Sequence, residues 1–195
     1  MSDAILKALC EVIDPSRIDT DQDRIAFLAS DALHPERLPR GVTSVIPLCV
    51  IQPQEAQEVV AIVGLANSHR IPVIPIGGGS GLMGGATVTA PGLLLDLRGL
   101  KMINIRPADR MADVGAGVTI CELNQAAAPH GLMCGHDPWT VSVATVGGTI
   151  GTNSLGYLGG KYGAMGDQLL GVEVVLPTGE MVRTRSVEKA STGPA

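Results

Sequence analysis

The stretch Ile71–Val88, IPVIPIGGGSGLMGGATV, places six glycines between Pro75 and Ala86, directly after a short apolar run. Glycine loses more backbone freedom on folding than any other residue. A turn that concentrates this entropic cost must gain from bare backbone brought close to another surface. Three readings compete. Gly79-Ser80-Gly81-Leu82-Met83-Gly84 spells G-x-G-x-x-G after a strand, the fingerprint of a Rossmann dinucleotide turn. That turn needs a helix opening at its third glycine, so that the positive helix end faces a pyrophosphate. Here Gly85-Ala86-Thr87-Val88-Thr89-Ala90-Pro91 follows, β-branched, without an apolar stripe and closed by proline, and no Walker lysine follows the glycines. Tight packing alone explains one or two glycines, but explains Gly77-Gly78-Gly79-Ser80-Gly81 poorly. The third reading is a nest: successive main-chain N–H groups pointing inward at an anion, with no helix behind them. A diphosphate suits such a nest, and Ser80 adds a hydroxyl donor.

Upstream of the glycines, SVIPLCVI (44–51) is a β-branched apolar run. QPQEAQEVVAIVGLANSHR (52–70) has Pro53 in its first turn, Glu55 and Glu58 near the positive end, and an apolar face of Val59, Val60, Ile62, Val63 and Leu65. With IPVIPI (71–76) as a second strand, this predicts a βαβ unit whose strands are buried on both faces. Further upstream, residues 2–13 predict a helix with Ser2 as its N-cap, ended by Asp14-Pro15. Residues 20–33 predict a short helix or irregular arm, and the proline-rich segment 33–41 a connector.

Downstream, GLLLDLRGL (92–100) predicts a third strand and residues 102–117 a hairpin turning at Pro107-Ala108-Asp109. Residues 119–131 predict a helix with a Thr119/Glu122 capping box and Gly131 just past its end. GVEVVLPTGEMVRTR (171–185) predicts another hairpin around Pro-Thr-Gly. Between them lies a second glycine-rich region, with eight glycines between Val146 and Asp167. It carries the hydroxyls of Thr140, Ser142, Thr145, Thr149 and Thr152 and the amide of Asn153. Two such segments, far apart in sequence, could clasp a large flat ligand, one at its phosphates and the other at its ring.

Bulk composition narrows the classes. Apolar residues make up 45% of the 195-residue chain and aromatics only 2%, so the core is aliphatic. A net charge of −5, without a Lys/Arg cluster, argues against a nucleic-acid surface. Cys10, Cys49, Cys121 and Cys134 share no CxxC spacing, and His34, His69, His130 and His136 complete no zinc pattern. The expectation is no metal site and reduced thiols in a cytoplasmic protein. No basic N-terminal region leads into an apolar run and no apolar stretch reaches about 18 residues, so neither a signal peptide nor a membrane span is expected.

Four segments together resemble the FAD-binding (PCMH-type) domain of the vanillyl-alcohol oxidase superfamily, in its glycolate oxidase and D-lactate dehydrogenase branch. They are VIQPQEAQEVVAIVGLANSHRIPV (50–73), PIGGGSGLMGG (75–85), DPWTVSVATVGGTIGTNSLG (137–156) and YGAMGDQLLGVEVVLPTGE (162–180). The match runs in order from about Asp31 to Gly193. The resemblance implies an α+β fold of two subdomains, a βαβ half and an antiparallel half, with FAD extended between them. It divides the chain into an N-terminal helical arm (1–42), a first subdomain with the pyrophosphate loop (43–105) and a second subdomain (106–195). The latter is expected to stop before its last strand, with the cap domain absent. By motif position Ile76, Gly77, Gly78, Gly79, Ser80 and Gly81 would cradle the pyrophosphate. Asp137, Pro138, Thr140, Thr145, Gly147 and Gly148 would line the flavin, with Gly151, Thr152 and Asn153 alongside. Ser80 stands where a flavin-linking His is frequent, which implies non-covalent FAD. Trp139 departs from the small residue often found there.

The implied activity is hydride transfer from a 2-hydroxy acid of the D-lactate or glycolate type to flavin N5. The general base is expected from the cap, so no catalytic residue is assigned in this chain. His136 reads better as a satisfied loop histidine than as a base, and Asp137 as a turn or backbone-capping residue. A second polypeptide or an electron-acceptor protein is the other partner left open. The alternative is a non-catalytic or partner-dependent FAD-binding subunit completed by another chain.

Overall fold

The computed structural model describes residues 3–29, 31–33, 37–38 and 44–184. Ser2 and most of the 33–41 connector therefore lie outside the described residues. Helix α1 (Asp3–Val12) leads through a 3-10 turn to the short strand β1 (Ile18–Asp19), and α2 (Gln22–Leu28) follows, capped by the Asp21 carboxylate. Strand β2 (Cys49–Ile51), helix α3 (Ala56–Ser68), β3 (Val73–Ile76) and β4 (Leu93–Asp96) complete the first sheet.

Its strand order is β1-β2-β4-β3. β4 runs parallel to both β2 and β3, and β1 pairs antiparallel with β2. The βαβ unit is present in split form: β2 and β3 run parallel in one sheet and are joined through α3, with β4 inserted between them. β3, however, is not buried on both faces. It is an edge strand with Pro75 exposed, and an edge tolerates proline because its missing N–H has no ladder partner to lose. β2 and β4 are buried throughout.

The two-residue period sorts the core. Cys49, Ile51, Leu93 and Leu95 pack on one face with Leu9 and Ile13 of the N-terminal segment and Val59, Ile62 and Ala66 of α3. Val50, Leu94 and Ile76 pack on the other with Ile25, Ala29 and Val88. The carboxylate of Glu58 accepts from the amides of Gln54 and Glu55 at the start of α3. It also accepts from the Arg17 guanidinium, which ties the N-terminal segment to the helix.

Two further antiparallel hairpins follow. β5 (Ile103–Arg106) and β6 (Met111–Val114) pair across a 3-10 turn at Pro107–Asp109, as predicted, with Arg110 left-handed at φ 54°. β7 (Glu173–Val175) and β8 (Met181–Arg183) pair around Pro177-Thr178-Gly179. Its turn docks on α3, where Asn67 donates to the Pro177 carbonyl. Between the hairpins lie α4 (Ile120–Ala127), α5 (Val146–Gly151) and α6 (Gly159–Tyr162). The Thr119/Glu122 capping box is present: Thr119 Oγ1 accepts from the Glu122 amide at 3.1 Å, and the Glu122 carboxylate accepts from the Thr119 amide at 2.7 Å. Gly131 closes the segment at φ 65°. Val118, Ile120, Leu123, Val146 and Met165 form a separate core there. Among the described residues no helix is long and apolar enough to cross a membrane.

Candidate functional site

The glycine turn leaves the carboxyl end of β3, where Ile76 pairs with Asp96 of β4. Open parallel sheets bind ligands at this end of their strands. No helix springs from Gly84; residues 77–92 run on to β4 without regular structure. The Rossmann reading therefore lacks the element it needs.

Two glycines of the turn answer to the protein itself. A Cβ at Gly78 would land inside the carbonyl oxygen of Val143, and one at Gly77 inside Oγ1 of Thr145. The two glycine-rich segments thus meet backbone to backbone, and packing explains this pair. Gly79 takes the left-handed conformation at φ 63°. What packing leaves over is the amides. Among the described residues no carbonyl or side chain of the protein accepts from the N–H groups of Gly77, Gly78, Gly79, Ser80 or Gly81. Gly77 to Ser80 are half-buried and Gly81 is exposed. Half-buried amides without a partner are expensive unless a ligand or water takes them. Among the described residues the only main-chain bond from this run goes outward, with the Gly81 carbonyl accepting from Ala32 at 2.9 Å.

The second segment is held firmly beside it. Ala144 accepts from Ile120 at 3.0 Å, Val146 donates to Val118 at 2.8 Å and Gly147 donates to Ala116 at 2.9 Å. Gly147 lies against Ala116 so closely that a Cβ would clash. Thr145 is buried and caps α5, its Oγ1 accepting from the Gly148 amide at 3.3 Å. Pro138 is buried, and its carbonyl accepts from Val141. The Thr140 carbonyl accepts from Val143 and Ala144. At the end of α5, Gly151, Thr152 and Asn153 are exposed. Asn153 is left-handed at φ 45°, steadied by the Gly166 amide donating to its Oδ1 at 2.9 Å.

The structure therefore brings Gly77 and Gly78 directly against Thr145 and its neighbour Val143. Gly147 and Gly148 are one helical turn away, and Asp137 to Thr140 lead into the same segment. Val143 was not singled out from sequence. Its contribution is a main-chain carbonyl, which no side-chain pattern reports.

His136 overturns its expected role. Its side chain is almost fully buried, yet neither ring nitrogen has a hydrogen-bond partner among the described residues, and Nε2 of Gln168 is likewise orphaned. Burial holds the imidazole below its usual pKa, with Asp137 opposing. It is therefore not the satisfied loop histidine that the sequence led us to expect. Cys134 is half-buried, and burial raises its thiol pKa, which keeps it protonated and a poor nucleophile. The Asp137 carboxylate makes no hydrogen bond among the described residues; its carbonyl accepts from the Tyr157 amide at 2.9 Å.

The α+β domain thus carries, after β3, a run of amides without a partner among the described residues, with the second glycine segment packed on that turn. Comparison with known proteins gives the family. Residues 47–185 match the family model described as an FAD binding domain, and the chain belongs to that family. FAD is its cofactor. It is 37% identical over 177 residues to a D-lactate dehydrogenase of Archaeoglobus fulgidus, covering 91% of this chain and 37% of that protein. It is 36% identical over 140 residues to glycolate oxidase subunit GlcD of Bacillus subtilis, covering 71% of this chain and 30% of that protein. Among solved structures it resembles an alkyldihydroxyacetonephosphate synthase at a TM-score of 0.85 and 23% identity, over 98% of this chain and 36% of that one. The last shows the shared PCMH-type fold. The chain spans roughly a third of the length of these relatives.

Proposed function

We propose that this chain holds FAD non-covalently, as the flavin-binding part of an oxidoreductase that takes a hydride from a 2-hydroxy acid of the D-lactate or glycolate type. The observation that carries the reading is the run of amides from Gly77 to Gly81 that have no partner among the described residues. Ile76, Gly77, Gly78, Gly79, Ser80 and Gly81 hold the diphosphate. Asp137, Pro138, Thr140, Thr145, Gly147, Gly148, Gly151, Thr152 and Asn153 line the flavin. The division into 1–42, 43–105 and 106–195 places the diphosphate turn in the first subdomain and the flavin segment in the second.

When bound, the flavin supplies the hydride acceptor at N5. The chain's own part is to bind, orient and exclude. Fixed N–H dipoles meet the diphosphate charge without reorganising, which favours the anion in a half-buried site. The rigid Thr140–Thr145 turns and the α5 cap set where the ring lies. No residue of the chain is assigned to proton transfer. The names of the relatives in the D-lactate dehydrogenase and glycolate oxidase group support the substrate class. Four unpaired cysteines support a reducing, cytoplasmic setting.

A second reading has a specific observation behind it. One relative is named as a subunit, and a chain of this kind could act only with a partner polypeptide. Absorbance spectroscopy separates the two. The purified protein should be yellow, release its colour on acid precipitation, and bleach when D-lactate or glycolate is added without air. Bleaching that needs a second polypeptide selects the subunit reading. A colourless protein that takes up no FAD refutes both.

A further inference from the structure

The chain has four aromatic residues, Phe27, Trp139, Tyr157 and Tyr162. Phe27, Trp139 and Tyr157 are at least three-quarters exposed, while the core is built of aliphatic side chains. Trp139 is 78% exposed and Tyr157 79%, and both belong to one place. The Tyr157 amide donates to the Asp137 carbonyl at 2.9 Å, so the two aromatics stand within two residues of a single hydrogen bond. The crossing is tight: Gly156 lies against the Asp137 backbone with no room for a Cβ. Leu155, also 70% exposed, adjoins it. Trp139 sits between Pro138 and Thr140, inside the segment assigned above to the flavin.

We propose that Trp139 and Tyr157 form an apolar subsite beside the flavin, which takes the bulky side group of an aryl- or branched-alkyl-substituted 2-hydroxy acid. The inference rests on the flavin reading above. Lactate and glycolate carry a methyl group or a hydrogen in that place, and gain little from an aromatic wall. A phenyl group would bury apolar area against it, at roughly 25 cal/mol per Å². Size favours a small molecule over a protein partner. Each aromatic side chain offers about 150–250 Å², whereas a stable protein interface takes about 800 Å² from each side.

The test is titration of the FAD-loaded protein with D-mandelate and with D-lactate, following the perturbation of the flavin's visible spectrum. D-mandelate should bind about tenfold tighter or better. Trp139→Ala should erase that preference while leaving flavin content unchanged, and Trp139→Phe should keep most of it. Equal affinities in the unsubstituted protein overturn the subsite and leave the flavin reading standing. So does a preference that survives Trp139→Ala. A protein that takes up no FAD overturns the flavin reading, and the subsite with it.

Discussion

Gly78 sits under the carbonyl of Val143 with no space for a methyl group. Gly78→Ala must push the two glycine segments apart, at a cost of about 1–3 kcal/mol for overpacking. Because the displaced backbone is also the proposed cradle, FAD affinity should fall by more than the melting temperature implies. Calorimetric titration beside thermal melting checks this. Gly85→Ala, which meets nothing within 4 Å, is the control and should change neither. His136 gives a second prediction. Its folded pKa lies below the ordinary value of about 6.5, so the unfolded chain binds the extra proton. Stability from keeping it neutral is complete above about pH 6.5 and drains away as pH falls below that. Glu58 and Glu122 act lower. The Arg17 and Lys101 hydrogen bonds depress their pKa values, and their share is lost only as pH falls below about 4.5. Melting temperature against pH should therefore fall in two stages, and His136→Leu should flatten the upper one alone. The glycines at this scale were legible, since crowding them in one turn is costly without a reason. The burial of His136 was not, because a lone histidine between a glycine and an aspartate carries no mark of which way it faces.

Helix α4 starts at a capping box that both sequence and structure display, and Thr119→Ala should cost about 1 kcal/mol in chemical denaturation. In β4 the side chain of Leu94 is fully buried, between Val50 and Ile74 in the neighbouring strands. Leu94→Ala should cost about 2–5 kcal/mol, measured the same way. These elements were readable because apolar spacing and caps are local. Strand order was not. That β4 enters between β2 and β3 depends on a pairing about twenty to forty residues distant, and a local pattern does not say which strand a run will join. α5 was also missed as a helix. Its sequence, VGGTIG, has three glycines, which disfavour helix. It forms because Thr145 caps it and Gly147 must approach Ala116, so tertiary contact overrides propensity.

At the scale of the molecule, one aliphatic sheet with helices on both faces holds a turn whose amides have no partner among the described residues, and a second core presses the other glycine segment onto that turn. The class of ligand was legible from the two glycine-rich segments together, where either alone fits several folds. A ligand that binds only this arrangement must stabilise it. FAD at a hundredfold excess over its dissociation constant should add about 2.7 kcal/mol, seen as a rise in melting temperature. The most direct measurement is an amide nitrogen–proton NMR titration with ADP, FAD and riboflavin. The account predicts that ADP and FAD move the signals of Gly77, Gly78, Gly79, Ser80 and Gly81 most of all, and that riboflavin, which lacks the diphosphate, leaves them nearly unmoved. Signals that stay in place with FAD, or that riboflavin moves just as far, would contradict it.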